Sequence, residues 1–132
     1  MMAFLDTVGL LAIWDKSDQW HRAATVCFSD ILSARIPVVT TTFVLLECGN
    51  AAARKPYRGA VVRLRQQLEA TNRLITPTPE DWNEAWQYFA AGQSDSPGIV
   101  DHVSFVIMRR LNIKKAFTND NHFRAAGFET LF

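Results

Sequence analysis

The chain has 132 residues, the length of one ordinary domain, and we expect a single domain over residues 1–132. A hydrophobic content of 48% and a charged content of 20% are typical of a globular protein and exclude a disordered or coiled-coil chain. The formal net charge of +1 excludes attraction of a polyanion by overall charge, so binding one would need a local basic patch.

The two cysteines and the N-terminal segment bear on the compartment. Cys27 and Cys48 lie far apart in apolar contexts and form no C-x-x-C pair, so we expect two buried, reduced thiols and a reducing compartment. The chain reaches Asp6 before any apolar run long enough for a signal peptide, and no other apolar stretch approaches the ~18 residues of a membrane span. These features predict a cytoplasmic protein without membrane association.

Short apolar runs alternate with longer, helix-like stretches along the chain. Strands are predicted over residues 2–5, 37–39, 74–76, 115–117 and around 129–131. Helices are predicted over residues 8–14, 19–35, 43–54 and 57–71, from residue 79 onward, over 99–111 and around 122–124. Strands that alternate with helices predict an α/β fold with a short parallel sheet flanked by helices.

Polar residues mark three of the predicted helix starts. Asp18 is expected to cap the second helix, and the run from Thr40 to Thr42 supplies the cap of the third. Thr78 followed by Pro79 and an acidic first turn predicts the start of the fifth helix.

Four carboxylates stand in apolar surroundings with no adjacent Lys or Arg. Asp6 and Asp120 follow predicted strands, whereas Glu47 and Asp101 lie inside apolar helical segments. A charge in such a place needs a partner or a cation. Because the carboxyl ends of parallel strands meet at one edge of the sheet, where ligands bind, we expect all four acids to converge there.

The ligand types indicate the metal and the chemistry. Carboxylates without clustered Cys or His favour Mg²⁺ or Mn²⁺ over zinc. One or two such ions can activate water and neutralise a phosphodiester. The chain has no glycine-rich phosphate loop, and Val8 stands where a phosphatase that forms an aspartyl phosphate would carry the second Asp of D-x-D.

Four segments together resemble the motifs of the PIN-domain nucleases, and most closely those of the VapC-type toxins. These segments are Phe4 to Thr7, Leu46-Glu47, Val100 to Phe105 and Thr118 to Phe123. The resemblance covers essentially the whole chain and implies a PIN-like three-layer sandwich and a Mg²⁺- or Mn²⁺-dependent endoribonuclease. It also implies an RNA substrate, a cognate antitoxin protein and a homodimer. By position in the motifs, the metal-binding and catalytic residues are Asp6, Glu47, Asp101 and Asp120.

Residues beside these acids agree with the family only in part. Thr7 and Thr118 match its polar residues and are expected to orient a carboxylate or a metal-bound water, or else simply to cap a helix. The residue two positions after the first acid is often Asn or Ser in the family and is Val8 here.

Plainer interpretations exist for several of these residues. Asp6 and Asp120 can each be no more than a helix cap. His102 is expected to pack or to face solvent, because it points about 100° away from Asp101 on the helix. His122 is expected to support its loop, with contact to substrate as the lesser alternative, and His21 has no predicted role.

A basic cluster and four tryptophans also carry two interpretations each. Arg54, Lys55 and Arg58, followed by Arg63 and Arg65, form either a solvated helix face or a rim that binds RNA phosphates beside the acids, and the first three are the candidate substrate-binding residues. The tryptophans are interpreted as core or dimer-interface anchors rather than as base-stacking platforms. They are Trp14, Trp20, Trp82 and Trp86.

Two other functions remain open from the sequence. The first is a non-catalytic PIN-like module that binds RNA or serves as a scaffold. The second is a metal-dependent phosphatase or DNA nuclease that uses the same acids.

Overall fold

The computed structural model describes all 132 residues, and they form a parallel sheet of five strands flanked by seven helices. The strands are β1 Ala3–Leu5, β2 Val38–Thr41, β3 Leu74–Ile75, β4 Lys115–Phe117 and β5 Glu129–Thr130, in the order β3-β2-β1-β4-β5. The helices are α1 Thr7–Trp14, α2 His21–Ser33, α3 Thr42–Ala52, α4 Arg58–Ala70, α5 Pro79–Ala91, α6 Ile99–Arg110 and α7 Asn121–Ala125. The predicted α/β sandwich is thereby confirmed.

The central strand β1 shows why a short apolar run is enough to form a strand of this sheet. Every residue of β1 is buried, and Phe4 pairs with Val39 of β2 on one side and with Ala116 of β4 on the other. A strand covered on both faces has no need of alternating polar residues, so it appears in the sequence as a continuous apolar run.

Gly9 allows α1 to lie directly on β4. A Cβ atom at this position would stand 2.2 Å from the carbonyl oxygen of Phe117, which is closer than any side chain can approach. The contact holds the first turn of α1 against the end of β4, and both of these places carry residues of the site described below.

Two helix starts differ in how well the sequence predicted them. Thr41 caps α3, because its side chain accepts a hydrogen bond from the amide of Val44 over 3.2 Å. The Asp18 prediction is wrong: α2 begins at His21, its N-cap position is Trp20, and no side chain caps it. Asp18 instead accepts a hydrogen bond from the amide of Trp20 in the preceding turn, over 2.8 Å.

The start of α5 also fixes the position of α6. Thr78 and Asp81 exchange side-chain and backbone hydrogen bonds as a capping box, with Pro79 at the first helical position. Asp81 is buried and forms a two-point ion pair with Arg110 of α6, at 3.0 and 2.9 Å. Burial raises the pKa of Asp81, but the hydrogen bonds from Arg110 and Thr78 outweigh it and leave the pKa below its ordinary value.

Both cysteines are free thiols, with Cys48 buried and Cys27 only half-buried. Among the seven helices, none combines the length and the apolar character that crossing a bilayer requires.

Candidate active site

The register between β1 and β4 brings Asp6 and Thr118 together. Leu5 pairs with Phe117, so the residues that follow them emerge side by side at the carboxyl edge of the sheet. Asp6 is only 2% exposed, and its Oδ2 accepts a hydrogen bond from the hydroxyl of Thr118 over 2.8 Å. The same hydroxyl oxygen accepts a bond from the amide of Asp120 over 3.1 Å. Thr118 therefore links the loop after β4 to the acid after β1.

The two strand-end acids differ in whether they cap a helix. Asp6 precedes α1, but its side chain makes no capping hydrogen bond. Asp120 does cap α7, because its Oδ1 accepts a bond from the amide of His122 over 2.8 Å. Capping thus accounts for part of the geometry of Asp120 and for none of the burial of Asp6.

Asp101, Asp120 and His122 form a cluster that can hold a cation. One ligand atom from each lies within 4.8 Å of the other two. Asp101 comes from the first turn of α6, while Asp120 and His122 flank the start of α7. The sequence did not predict that His122 joins the acids.

His122 also ties this cluster to the loop before α6. Its Nδ1 lies 3.1 Å from Asp120 Oδ1, and its Nε2 lies 3.0 Å from the carbonyl oxygen of Asp95. These two contacts give His122 the loop-supporting role that the sequence predicted, and they place its ring between the acids and the 92–98 loop.

Burial, and after it the proximity of other acids, raises the proton affinity of Asp6 and Asp101. Burial, together with the nearby charge of Asp101 and a smaller effect of Asp120, raises the pKa of Asp6 to about 7. Burial and the charges of Asp120 and Glu47 raise the pKa of Asp101 to about 6. Carboxylates in such an arrangement are stabilised in their charged form by a divalent cation, and their hard oxygen atoms suit Mg²⁺ or Mn²⁺.

Glu47 approaches this site from the solvent side. We expected its charge to be buried, because its neighbours in sequence are apolar, but the side chain is exposed. The helical repeat turns Val44, Leu45 and Cys48 toward the core and leaves Glu47 outside. Its Oε1 accepts a hydrogen bond from the hydroxyl of Thr7 over 2.6 Å, and its charge contributes to the raised pKa of Asp101.

The basic cluster lies away from the acids. Arg54 and Lys55 follow the last turn of α3, so Arg54 is roughly 10 Å farther along the helix direction than Glu47. Lys55 lines a cavity with Trp14 at the far end of α1, and Arg58 donates to the carbonyl of Ala53 over 3.3 Å. None of the three forms an ion pair with the four acids.

The whole chain is similar to known proteins in sequence. The family model described as "PIN domain" matches residues 3–129 of this chain. The "23S rRNA-specific endonuclease VapC20" of Mycobacterium tuberculosis, from strains CDC 1551 and H37Rv, is 30% identical over 129 residues, which is 96% of this chain and 95% of the relative.

A solved structure shows the same likeness in three dimensions. The crystal structure of Mycobacterium tuberculosis VapC20, titled a "Sarcin-Ricin loop cleaving toxin", superposes with a TM-score of 0.80 at 26% identity. The superposition covers 96% of this chain and 95% of that one. The likeness therefore extends over almost the whole fold rather than one local motif.

Proposed function

This chain belongs to the PIN-domain family and, within it, to the VapC-type toxins, and from that premise we propose that it is a Mg²⁺- or Mn²⁺-dependent endoribonuclease. One observation of the structure supports this most: the buried Asp6 and the partly buried Asp101 both have a raised pKa, and no basic side chain pairs with either of them. Such acids favour a divalent cation as their partner.

The four acids have two roles in this proposal. Asp6, Asp101 and Asp120 would hold the metal, which when bound would lower the pKa of water and neutralise charge on the phosphodiester. Thr118 fixes the orientation of Asp6 through its hydroxyl. Glu47 is held at Oε1 by Thr7, and its Oε2, which accepts no hydrogen bond within the chain, would accept a proton from the attacking water.

The relatives suggest which RNA to test first. VapC20 carries the name of a 23S rRNA-specific endonuclease, and its crystal structure is titled a sarcin-ricin loop cleaving toxin. We infer that this chain also cleaves RNA, and that a structured ribosomal RNA loop is the first substrate to examine. Its free cysteines and RNA substrate fit action in the cytoplasm.

A cognate antitoxin and a homodimer complete the proposal. Trp82 and Trp86 are 44% and 39% exposed, so they do not belong to the core, and they stack edge to face with centroids 5.7 Å apart. Large exposed aromatic residues are typical anchors of protein interfaces, which supports a second copy at this face. A cleft of about 490 Å³ between α3 and α4, lined by Leu45, Leu46 and Val61, offers an apolar surface for the antitoxin.

The central experiment compares three substrates with Mn²⁺ and with EDTA. We expect wild type to cleave RNA with Mn²⁺ but not with EDTA, and to leave single-stranded DNA and a phosphomonoester largely intact. Asp6→Asn should be inactive, whereas Asp30→Asn, which alters an exposed acid on α2, should match wild type. RNA binding without cleavage by wild type would favour the non-catalytic module, and preferential cleavage of DNA or of the monoester would favour the other enzymes.

A further inference from the structure

A cavity of about 320 Å³ adjoins the acidic cluster and has no role in the chemistry above. We call it the aromatic cavity. It lies between the end of α5, the 92–98 loop, α6 and α7, and the residues that line it and carry the argument are Tyr88, His102, Phe105, Arg109 and His122. Since His122 also belongs to the cluster with Asp101 and Asp120, the cavity and the metal site share a wall.

Flat rings form much of the lining. The rings of Tyr88 and His102 are parallel to within 8°, with centroids 6.3 Å apart, and Phe105 meets His102 edge to face at 5.9 Å. Tyr88 is 48% exposed, so one part of its ring is open to a ligand. Aromatic faces of this kind are platforms on which the bases of single-stranded nucleic acid stack.

His102 adds a hydrogen-bonding atom that the protein leaves without a partner. Its Nε2 is buried and has no hydrogen-bond partner within the chain. A buried polar atom in this state costs free energy and calls for an explanation. His102 lines the aromatic cavity, so a turn of its ring about the Cβ–Cγ bond would bring Nε2 toward a ligand there, whose edge would supply the missing partner.

Arg109 supplies a fixed cation at the same place. Its guanidinium lies 5.8 Å from the ring centroid of Tyr88, 5.9 Å from that of Phe105 and 5.4 Å from that of Phe128. Nη2 donates to the carbonyl of Ala126 over 3.2 Å, and no carboxylate pairs with the side chain. The charge is thus held in position and left uncompensated.

We propose that the aromatic cavity binds one unpaired nucleobase of the RNA, next to the phosphodiester that lies at the acids. The assignment rests on the proposed ribonuclease function and extends it to a subsite. Stacking on Tyr88 orients the base, the His102 ring turns so that Nε2 bonds to its edge, and Arg109 faces the adjoining backbone. A phosphate alone would use Arg109 and would leave the flat walls and the unpaired nitrogen unexplained.

The test measures RNA binding in EDTA, so that it does not depend on cleavage. A short single-stranded RNA and an abasic ribose-phosphate strand of equal length and charge are titrated against the full chain. Wild type should bind the base-containing strand roughly tenfold more tightly. Tyr88→Ala should lose this preference, while Tyr88→Phe, which keeps the ring, should retain it. Thermal melts establish that both variants are folded.

A second arm separates stacking from recognition of the base edge. His102→Phe keeps a ring and removes Nε2, so it should still prefer bases over abasic strands but discriminate less among homopolymers of A, C, G and U. Equal binding of base-containing and abasic strands by wild type, or an undiminished preference in Tyr88→Ala, would overturn the subsite. Cleavage of RNA without a base preference would remove the subsite and leave the ribonuclease proposal intact. A base preference that depends on Tyr88 but comes without cleavage would support the subsite and contradict the ribonuclease proposal.

Discussion

The edge of the sheet and the exposed side of α3 each contribute a carboxylate to the candidate site. The carboxylate at the sheet edge is buried, whereas the one on α3 is exposed. Asp6 is buried and bonded to Thr118, and its pKa is raised to about 7. Glu47 is exposed and bonded to Thr7. A buried carboxylate affects the free energy of unfolding whenever its charge or its partner changes, whereas an exposed one hardly does. A substitution at the sheet edge should therefore change both stability and activity, whereas a substitution on α3 should change activity alone.

The largest expected effect is on activity, and it should not distinguish the two regions. Both Asp6→Asn and Glu47→Gln should lower kcat by about a thousandfold, because each removes a charge that acts on the reacting groups. The measurement is single-turnover cleavage of RNA with saturating Mn²⁺. Near wild-type activity of Glu47→Gln would show that α3 contributes no catalytic group.

The pH dependence of stability should separate the regions clearly. Burial raises the pKa of Asp6 from 3.8 to about 7, so between these values the folded protein holds a proton that the unfolded chain has released. The contribution of Asp6 to stability without metal should therefore be fully present below about pH 4 and be lost as the pH rises to about 7, a change of up to roughly 4 kcal/mol.

Denaturant unfolding in metal-free buffer across this range measures the effect. Asp6→Asn has no carboxyl group to ionise, so its curve should be flatter, while Glu47→Gln, which removes only one of the smaller causes of the raised pKa of Asp101, should change the curve much less. Parallel curves for wild type and Asp6→Asn would mean that Asp6 is ionised in the metal-free protein at all these values.

The two threonine contacts give a smaller contrast of the same kind. Thr118→Val leaves Asp6 without its buried donor and should lower the free energy of unfolding by roughly 1–3 kcal/mol. Thr7→Val breaks the exposed bond to Glu47 and should cost less than about 1 kcal/mol. Thermal melts at neutral pH compare the two variants. Equal losses of stability would contradict the claim that stability and function are coupled only at the buried edge of the sheet.

The smallest effect concerns the basic cluster beyond α3. Replacement of Arg54, Lys55 and Arg58 by Ala should flatten the salt dependence of RNA binding if they form a phosphate rim. Their distance from the acids predicts that cleavage of a short RNA changes little, while binding of a longer one weakens. An unchanged salt dependence with both RNAs would assign the cluster to a solvated helix face.

Local sequence signals predicted most of the architecture. The apolar runs of β1 and β4 and the capping box of α5 carry their information within a few residues. The convergence of Asp6 and Asp120 followed from strand direction alone. Residues 115–117 were predicted as a strand with the bounds that the structure shows.

Features that depend on packing between distant segments were not predicted. The exposure of Glu47 depends on which side of α3 meets the core, although the positions of Val44, Leu45 and Cys48 in the helical repeat carried that information. The place of His122 among the acids depends on how α7 meets the 92–98 loop. No local signal connects Arg109 with His122, because the cavity that they share forms only when α6 and α7 come together.

The central claim is that the acids destabilise the metal-free protein and that a divalent cation relieves this cost. Unfolding of wild type and Asp101→Asn in EDTA and in Mn²⁺, with Asp30→Asn as the control, tests it most directly. We predict that Asp101→Asn is no less stable than wild type in EDTA. Wild type should gain about 2.7 kcal/mol when free Mn²⁺ is a hundredfold above its Kd, and Asp101→Asn should gain less. An Asp101→Asn protein that melts well below wild type in EDTA, and gains as much from Mn²⁺, would contradict the account.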